Sequence, residues 1–99
     1  MYIVTGTFKF QKNKMSDAQR LMDSMVSLGK TEVGMHKYSF YSEQKSLNIF
    51  FLYEEWESKS AHDKHFHSES MKKMLPDFFE LLDEEPEVTY YNAEIESKL

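Results

Sequence analysis

The chain has 99 residues, a formal net charge of −5 and no cysteine, which excludes disulfides and thiolate chemistry. With 40% hydrophobic and 29% charged residues it suits one folded domain over residues 1–99, and we expect a cytoplasmic protein. Because the basic residues are scattered and no apolar run approaches about 20 residues, we expect neither a nucleic acid nor a membrane as partner.

The first half of the chain predicts a strand, a helix and a second strand. Residues 2–10 alternate between apolar and polar positions, which is the period of a strand. Residues 15–28 carry apolar side chains at helical spacing, and Gly29 is a suitable stop. Residues 35–43 alternate again. The side chains that we expect on one face of this second strand are His36, Tyr38 and Phe40.

The second half predicts a strand, two helical segments and a final strand. Residues 47–57 are apolar on both faces at their centre, as in a strand that is covered on both sides. We expect a helix to begin near Ala61 and to break between residues 67 and 70. The second helical segment, residues 71–85, contains Pro76, where we expect a kink or a fresh start. A further proline precedes the final strand.

This order of elements, βαββαβ, is typical of a ferredoxin-like α+β sandwich with both helices on one face of an antiparallel sheet. Two helices cannot cover all the large apolar side chains of such a sheet, so we expect a homodimer through the sheet face, forming a dimeric α/β barrel. The side chains that compete for cover are Tyr2, Ile3, Tyr38, Phe40, Tyr41, Phe50, Phe51, Tyr90 and Tyr91.

Three of the four histidines lie close together and raise the question of a metal site. His62 and His65 have the i, i+3 spacing that points two imidazoles the same way on a helix. A closed site needs four ligands, no cysteine is available, and His36 is the one histidine outside this cluster. We therefore expect solvated helix histidines and no metal.

Nucleophile and phosphate motifs are missing, which leaves acid–base chemistry as the remaining candidate. No serine lies in a Gly-x-Ser-x-Gly elbow, and the glycines form no phosphate loop. Trp56 follows Glu54 and Glu55 at the end of a strand. His65 is expected on the inner side of the next helix, where an imidazole with a pKa near 6.5 can accept a proton. The alternative is structural: a core tryptophan, and carboxylates that cap a sheet edge.

The segments LYEEWESKSAHDKH, SESMKKM and EPEVTYY resemble the antibiotic biosynthesis monooxygenase domain family, which includes small quinol monooxygenases. The resemblance covers nearly the whole chain. For the oxygenase members it implies oxidation of a phenol, quinol or anthrone by O2 without flavin, haem or metal. The residues that match the family's pattern are Tyr53, Glu54, Trp56, Ser58, Ala61, His65 and Ser68.

The chain also departs from parts of the family. Leu52 and His62 stand where members that act on polyketides have Asn and Tyr, and Ser70 stands where many members have a second histidine. Haem-degrading relatives carry an Asn on the first strand, where this chain has Thr5 to Thr7. Other relatives isomerise phosphorylated sugars, a reaction that needs cationic groups at the pocket.

We therefore expect a cofactor-independent monooxygenase that acts on a small aromatic or quinol-like molecule. His65 is the expected proton acceptor, Trp56 shapes the pocket, and Glu54 or Glu55 orients or polarises the substrate. The alternatives are a non-catalytic dimeric binding protein and an isomerase of a small sugar-phosphate-like metabolite. The further residues expected to line the pocket are Tyr53, Tyr38, His36, His62 and Phe66.

Overall fold

The fold is a four-stranded antiparallel sheet with helices on one face. The computed structural model describes residues 1–99. The strands pair in the order β2-β3-β1-β4, and a short 3-10 turn precedes the first helix. The bounds are β1 Tyr2–Lys9, 3-10 turn Lys12–Lys14, α1 Met15–Gly29, β2 Met35–Ser42, β3 Ile49–Trp56, α2 Lys59–Phe66, α3 Glu69–Glu80 and β4 Glu87–Asn92.

This topology confirms the predicted ferredoxin-like sandwich. The first strand is central and pairs antiparallel with both β3 and β4. Val4 is opposite Glu54 and Phe8 is opposite Phe50, so the even-numbered residues of both strands lie on the same face of the sheet. The core lies between this face and the helices. No helix is both long and apolar enough to cross a membrane.

Serine caps divide the segment after β3 into two helices. The Ser58 Oγ accepts a hydrogen bond from the backbone N–H of Ala61 at 3.2 Å and begins α2. The Ser68 Oγ accepts from Met71 N–H at 3.2 Å and begins α3, within the break that we predicted. We expected a kink or a fresh start at Pro76, and the fresh start is wrong, because α3 runs through that residue. The ring lies on the solvent-exposed side, where the carbonyl that loses its partner can bind water.

The expectation that His36 shares a face with Tyr38 is also wrong. The pairing of β2 with β3 shifts by one residue between Met35 and Lys37, which is a β-bulge. The extra residue turns His36 to the face away from the helices, where its Nδ1 lies 4.0 Å from Glu55 Oε2. The alternation of apolar and polar residues in this strand does not reveal the bulge.

Candidate active site

A cavity of about 110 Å3 lies between the sheet and the helices. Thirteen of its sixteen lining residues are hydrophobic, so any polar group in it has little water around it. The three other lining residues are Glu54, His62 and His65, and the hydrophobic set includes Tyr38 and Phe66. The structure thus brings five of the predicted site residues to one cavity.

The Glu54 carboxyl is the acidic group of this cavity. The alternation of β3 turns it toward the helices, and it is buried. The Trp56 Nε1–H donates a hydrogen bond to its Oε1 at 2.8 Å. Burial raises the pKa of Glu54 to about 7; the bond from Trp56 lowers it, and the charge of Glu32 raises it. Glu54 can therefore exchange a proton near neutral pH.

Trp56, which we predicted as a catalytic residue, does not line the cavity. Its indole is fully buried behind the wall, with the ring centroid 4.9 Å from that of His65. Its one polar atom, Nε1, already donates a hydrogen bond to Glu54. In this position the tryptophan can hold a carboxyl and an imidazole in place, but it cannot contact a ligand in the cavity.

His65 is almost fully buried on the inner side of α2, and His62 is buried too, so the expectation that these helix histidines are solvated is wrong. Its Nδ1 is hydrogen-bonded to the Glu32 carboxylate, a partner that the sequence analysis missed. In a neutral imidazole, an Nδ1–H that donates to this carboxylate leaves Nε2 as an acceptor. Nε2 has no hydrogen-bond partner in the protein. Every side-chain nitrogen or oxygen that is fully shielded from solvent has such a partner, so Nε2 is not fully shielded and borders the cavity that His65 lines.

The loop between α1 and β2 brings Glu32 to His65. Gly34, at φ +84°, adopts a left-handed conformation that side chains rarely take. A Cβ at Gly34 would lie 2.8 Å from the Cβ of Ala61, so only glycine lets the loop lie this close to α2. The Gly34 carbonyl also accepts a hydrogen bond from Glu57 N–H at 2.7 Å.

Tyr38 adds a hydroxyl to the cavity. Its ring centroid lies 5.3 Å from that of His65, and its hydroxyl has no protein partner. Burial raises the pKa of the Tyr38 phenol well above its usual range, and the charges of Glu54 and Glu32 add to this effect. The group therefore remains a neutral hydroxyl that can donate to a ligand.

His62 lines the cavity beside Phe66. Its ring centroid lies 5.3 Å from that of Tyr2, and its Nδ1 lies 3.1 Å from Asp63 Oδ1. Burial lowers the pKa of His62, although Asp63 opposes the shift, so the imidazole is neutral at pH 7. Nowhere in the structure do three or more His, Asp or Glu side chains come together as metal ligands.

Three predicted site residues lie on the other face of the sheet. The Tyr53 hydroxyl donates a hydrogen bond to Glu55 Oε1 at 2.9 Å, and His36 lies beside the same carboxylate. None of them lines the cavity. Their positions follow from the alternation of β3 and from the bulge in β2.

The cavity opens between α3 and the edge strand β4. Three of its lining residues are partly exposed: Phe79 at 48%, Val88 at 38% and Tyr90 at 48%. A cavity of about 150 Å3 can hold benzene, so this one, at about 110 Å3, needs movement of these mouth residues to admit a larger ring system. An apolar mouth favours apolar ligands.

The sequence profile described as antibiotic biosynthesis monooxygenase matches residues 1–76. The chain belongs to this family. The family predicted from the motifs around Trp56 is thus confirmed. Membership supports a monooxygenase-like function and leaves the substrate open.

Solved structures with the same fold cover nearly the whole chain. A conserved protein of Methanosarcina mazei has a TM-score of 0.89 and 26% identity, covering 94% of this chain and 92% of that one. A structure described as an antibiotic biosynthesis monooxygenase has a TM-score of 0.88 and 20% identity, covering 96% of this chain and 100% of that one. At that identity the second likeness shows the fold alone.

An uncharacterized protein of Synechocystis sp. is 28% identical over 93 residues. The match covers 94% of this chain but 58% of the relative, so the chain spans little more than half of that protein's length.

Proposed function

We propose that the chain is a cofactor-independent monooxygenase that oxidises a small quinol, phenol or anthrone-like aromatic with O2. One observation carries the proposal: the buried Glu54 carboxyl, with a pKa of about 7, lies in an apolar cavity beside the Tyr38 hydroxyl and His65 Nε2. A general base works best when its pKa is close to the working pH.

The first step is removal of a proton from the substrate. The ionised Glu54 takes it from an activated C–H or O–H group, and Trp56 holds the carboxyl in one orientation. Tyr38 donates to the oxygen on which negative charge develops. His65, which we expected to be the proton acceptor, instead accepts a hydrogen bond from a substrate hydroxyl through Nε2.

The second step is the reaction of the substrate anion with O2. One electron passes to O2, and the radical and superoxide combine to form a C–O bond. Glu54 returns its proton to the peroxide, and loss of water then leaves a carbonyl. For a methylene group the balance is CH2 + O2 → C=O + H2O, so the substrate supplies all four electrons. The apolar walls keep water from the anion.

The sugar-phosphate isomerase alternative receives less support. No Lys or Arg lines the cavity, and the acidic group in it is a carboxyl whose burial already disfavours negative charge. A phosphate dianion would be repelled there. A non-catalytic binding protein would use the same apolar cavity, and oxygen consumption separates it from the monooxygenase.

We also propose a homodimer through the sheet face. The face away from the helices carries three aromatic side chains that are about half exposed, which is uncommon for a monomer. Phe51 lies opposite Tyr41 in the sheet pairing, and Tyr91 lies opposite Ile3, so the apolar positions form neighbouring pairs. A twofold contact would cover this face in both copies.

Oxygen uptake tests the proposed activity. Reduced menadiol and a hydroxyl-bearing anthrone, in chelated and flavin-free buffer, should consume O2 faster than their autoxidation when the protein is added. The rate should rise as the pH passes about 7, because Glu54 must be ionised. Glu54→Gln should lower it by about 100-fold or more, since general base catalysis contributes about that much. His65→Ala should also lower it.

Glu55→Gln is the matched comparison, because that neighbouring carboxylate lies on the other face of the sheet. Its rate should equal that of the wild type. A wild-type rate that never exceeds autoxidation over a panel of quinols and phenols would refute the proposed activity. Loss of the rate in Glu55→Gln but not in Glu54→Gln would refute the assignment of the base.

A further inference from the structure

We propose that Glu32 is a positioning residue that holds His65 in one tautomer, with Nε2 as an acceptor in the cavity, so that the site selects aromatic ligands bearing a free hydroxyl group. This inference deepens the proposed function, and its substrate class rests on that function. The tautomer and its cause can be measured without any turnover.

The loop around Glu32 is fixed on both sides of that residue. The Glu32 N–H donates to the Gly29 carbonyl at 3.1 Å, and the Thr31 hydroxyl donates to the Leu28 carbonyl at 2.8 Å. On the other side of Glu32, the Gly34 carbonyl accepts a hydrogen bond from the backbone N–H of Glu57, the residue before the α2 cap. These hydrogen bonds fix the loop, so the Glu32 carboxylate is held next to α2 and in contact with His65 Nδ1.

The imidazole ring is held in its plane as well. Its centroid lies 4.9 Å from that of Trp56 and 5.3 Å from that of Tyr38. A ring packed against two aromatic rings and hydrogen-bonded at Nδ1 cannot turn over without breaking the bond to Glu32. Nε2 therefore stays directed toward the cavity.

A hydroxyl group matches this arrangement. It can donate to Nε2 of His65 while it accepts from the hydroxyl of Tyr38. A methyl ether of the same shape can accept but not donate, which leaves the buried Nε2 without a partner. Such a loss weakens binding by about tenfold or more.

Nitrogen-15 NMR of the histidine side chains tests the tautomer. In the wild type, neutral His65 should carry its proton on Nδ1. In Glu32→Gln, the amide can donate to Nδ1, so the proton should move to Nε2 in a large share of molecules. Glu57→Gln makes the same chemical change on a nearby exposed carboxylate and should match the wild type.

A wild-type His65 protonated on Nε2 when neutral would overturn the proposal, whether or not Glu32→Gln folds. So would a Glu32→Gln spectrum in which His65 keeps the wild-type tautomer.

Phenol and anisole test the selection of a hydroxyl. Titrations followed by NMR should show phenol binding to the wild type about tenfold more tightly than anisole, and Glu32→Gln should lose most of this preference. Equal binding of the two, or no binding of either, would overturn the hydroxyl assignment. If the wild type shows the tautomer and the preference but consumes no O2, the proposed oxidation fails while the role of Glu32 stands.

Discussion

Glu54 is an ionisable group that the fold buries in an apolar cavity. Its pKa is raised from the usual 4.5 to about 7, mainly because burial disfavours the charged form. Because the pKa of Glu54 is higher in the folded state than in the unfolded state, Glu54 contributes to the free energy of unfolding below pH 4.5. This contribution is lost as the pH rises through 7. The same burial that suits the carboxyl to proton transfer thus weakens the fold above neutral pH.

Glu54→Gln should stabilise the protein at high pH. The amide keeps an oxygen for the Trp56 N–H and removes the buried charge. The free energy of unfolding should match the wild type at pH 4.5 and exceed it at pH 9 by about 3 kcal/mol, given about 1.4 kcal/mol for each pKa unit. Urea denaturation at the two pH values measures this difference. Glu57→Gln should show no such change, and a Glu54→Gln protein no more stable at pH 9 than the wild type would contradict the burial argument.

Among the secondary-structure elements, the strands were predictable because their burial follows a period of two. The alternation along β3 turns Glu54 toward the helices and Glu55 away from them, whereas we had expected either carboxylate to act at the site. In β2 the bulge shifts the pattern by one residue, so the position of His36 could not be read from the alternation. Pro76 predicted a kink or a fresh start, but no new helix begins there: α3 continues through this exposed position, where water can bind the carbonyl that loses its partner.

The loop before β2 held the contact that the sequence did not reveal. Glu32 belongs to no periodic segment, and its distance from His65 along the chain is 33 residues. Only the packing of the loop on α2 brings the two side chains together. The one local clue is Gly34, because a glycine near a loop end favours a left-handed conformation.

Gly34→Ala should destabilise the protein by roughly 2–4 kcal/mol, because the left-handed conformation and the contact with Ala61 both oppose a Cβ. Thermal or urea denaturation measures the loss. In an Ala61→Gly background the same substitution should cost less, since the steric part disappears and the backbone strain remains. An equal cost in both backgrounds would show that the loop does not press on α2.

At the scale of the whole molecule, the two faces of the sheet serve different purposes. The face toward the helices encloses the cavity, and the opposite face carries the exposed aromatic residues of the proposed dimer contact. Ligand entry at the mouth beside β4 would leave the proposed contact undisturbed. The exposed aromatic residues of that contact are Tyr41, Phe51 and Tyr91.

Light scattering at micromolar concentration should give twice the chain mass of 11.8 kDa. Phe51→Lys should give a monomer, because it puts a charge within the covered apolar face. Val33→Lys, on an exposed loop, should remain a dimer. A wild type that stays monomeric and soluble would contradict the sheet-face dimer.

The pairing of β3 with β1 joins correct folding to chemistry. Glu54 and Glu55 are neighbours in the chain but face opposite sides, so a slip of one residue in this pairing would exchange them. Leu52 and Trp56 would then turn to the face away from the helices. Glu55 would face the chamber in place of Glu54, without a hydrogen bond from the Trp56 indole. A chain with the wrong register would lose its apolar interior and its proton-transfer group together. The measured enzymatic rate would therefore come only from molecules with the native strand register.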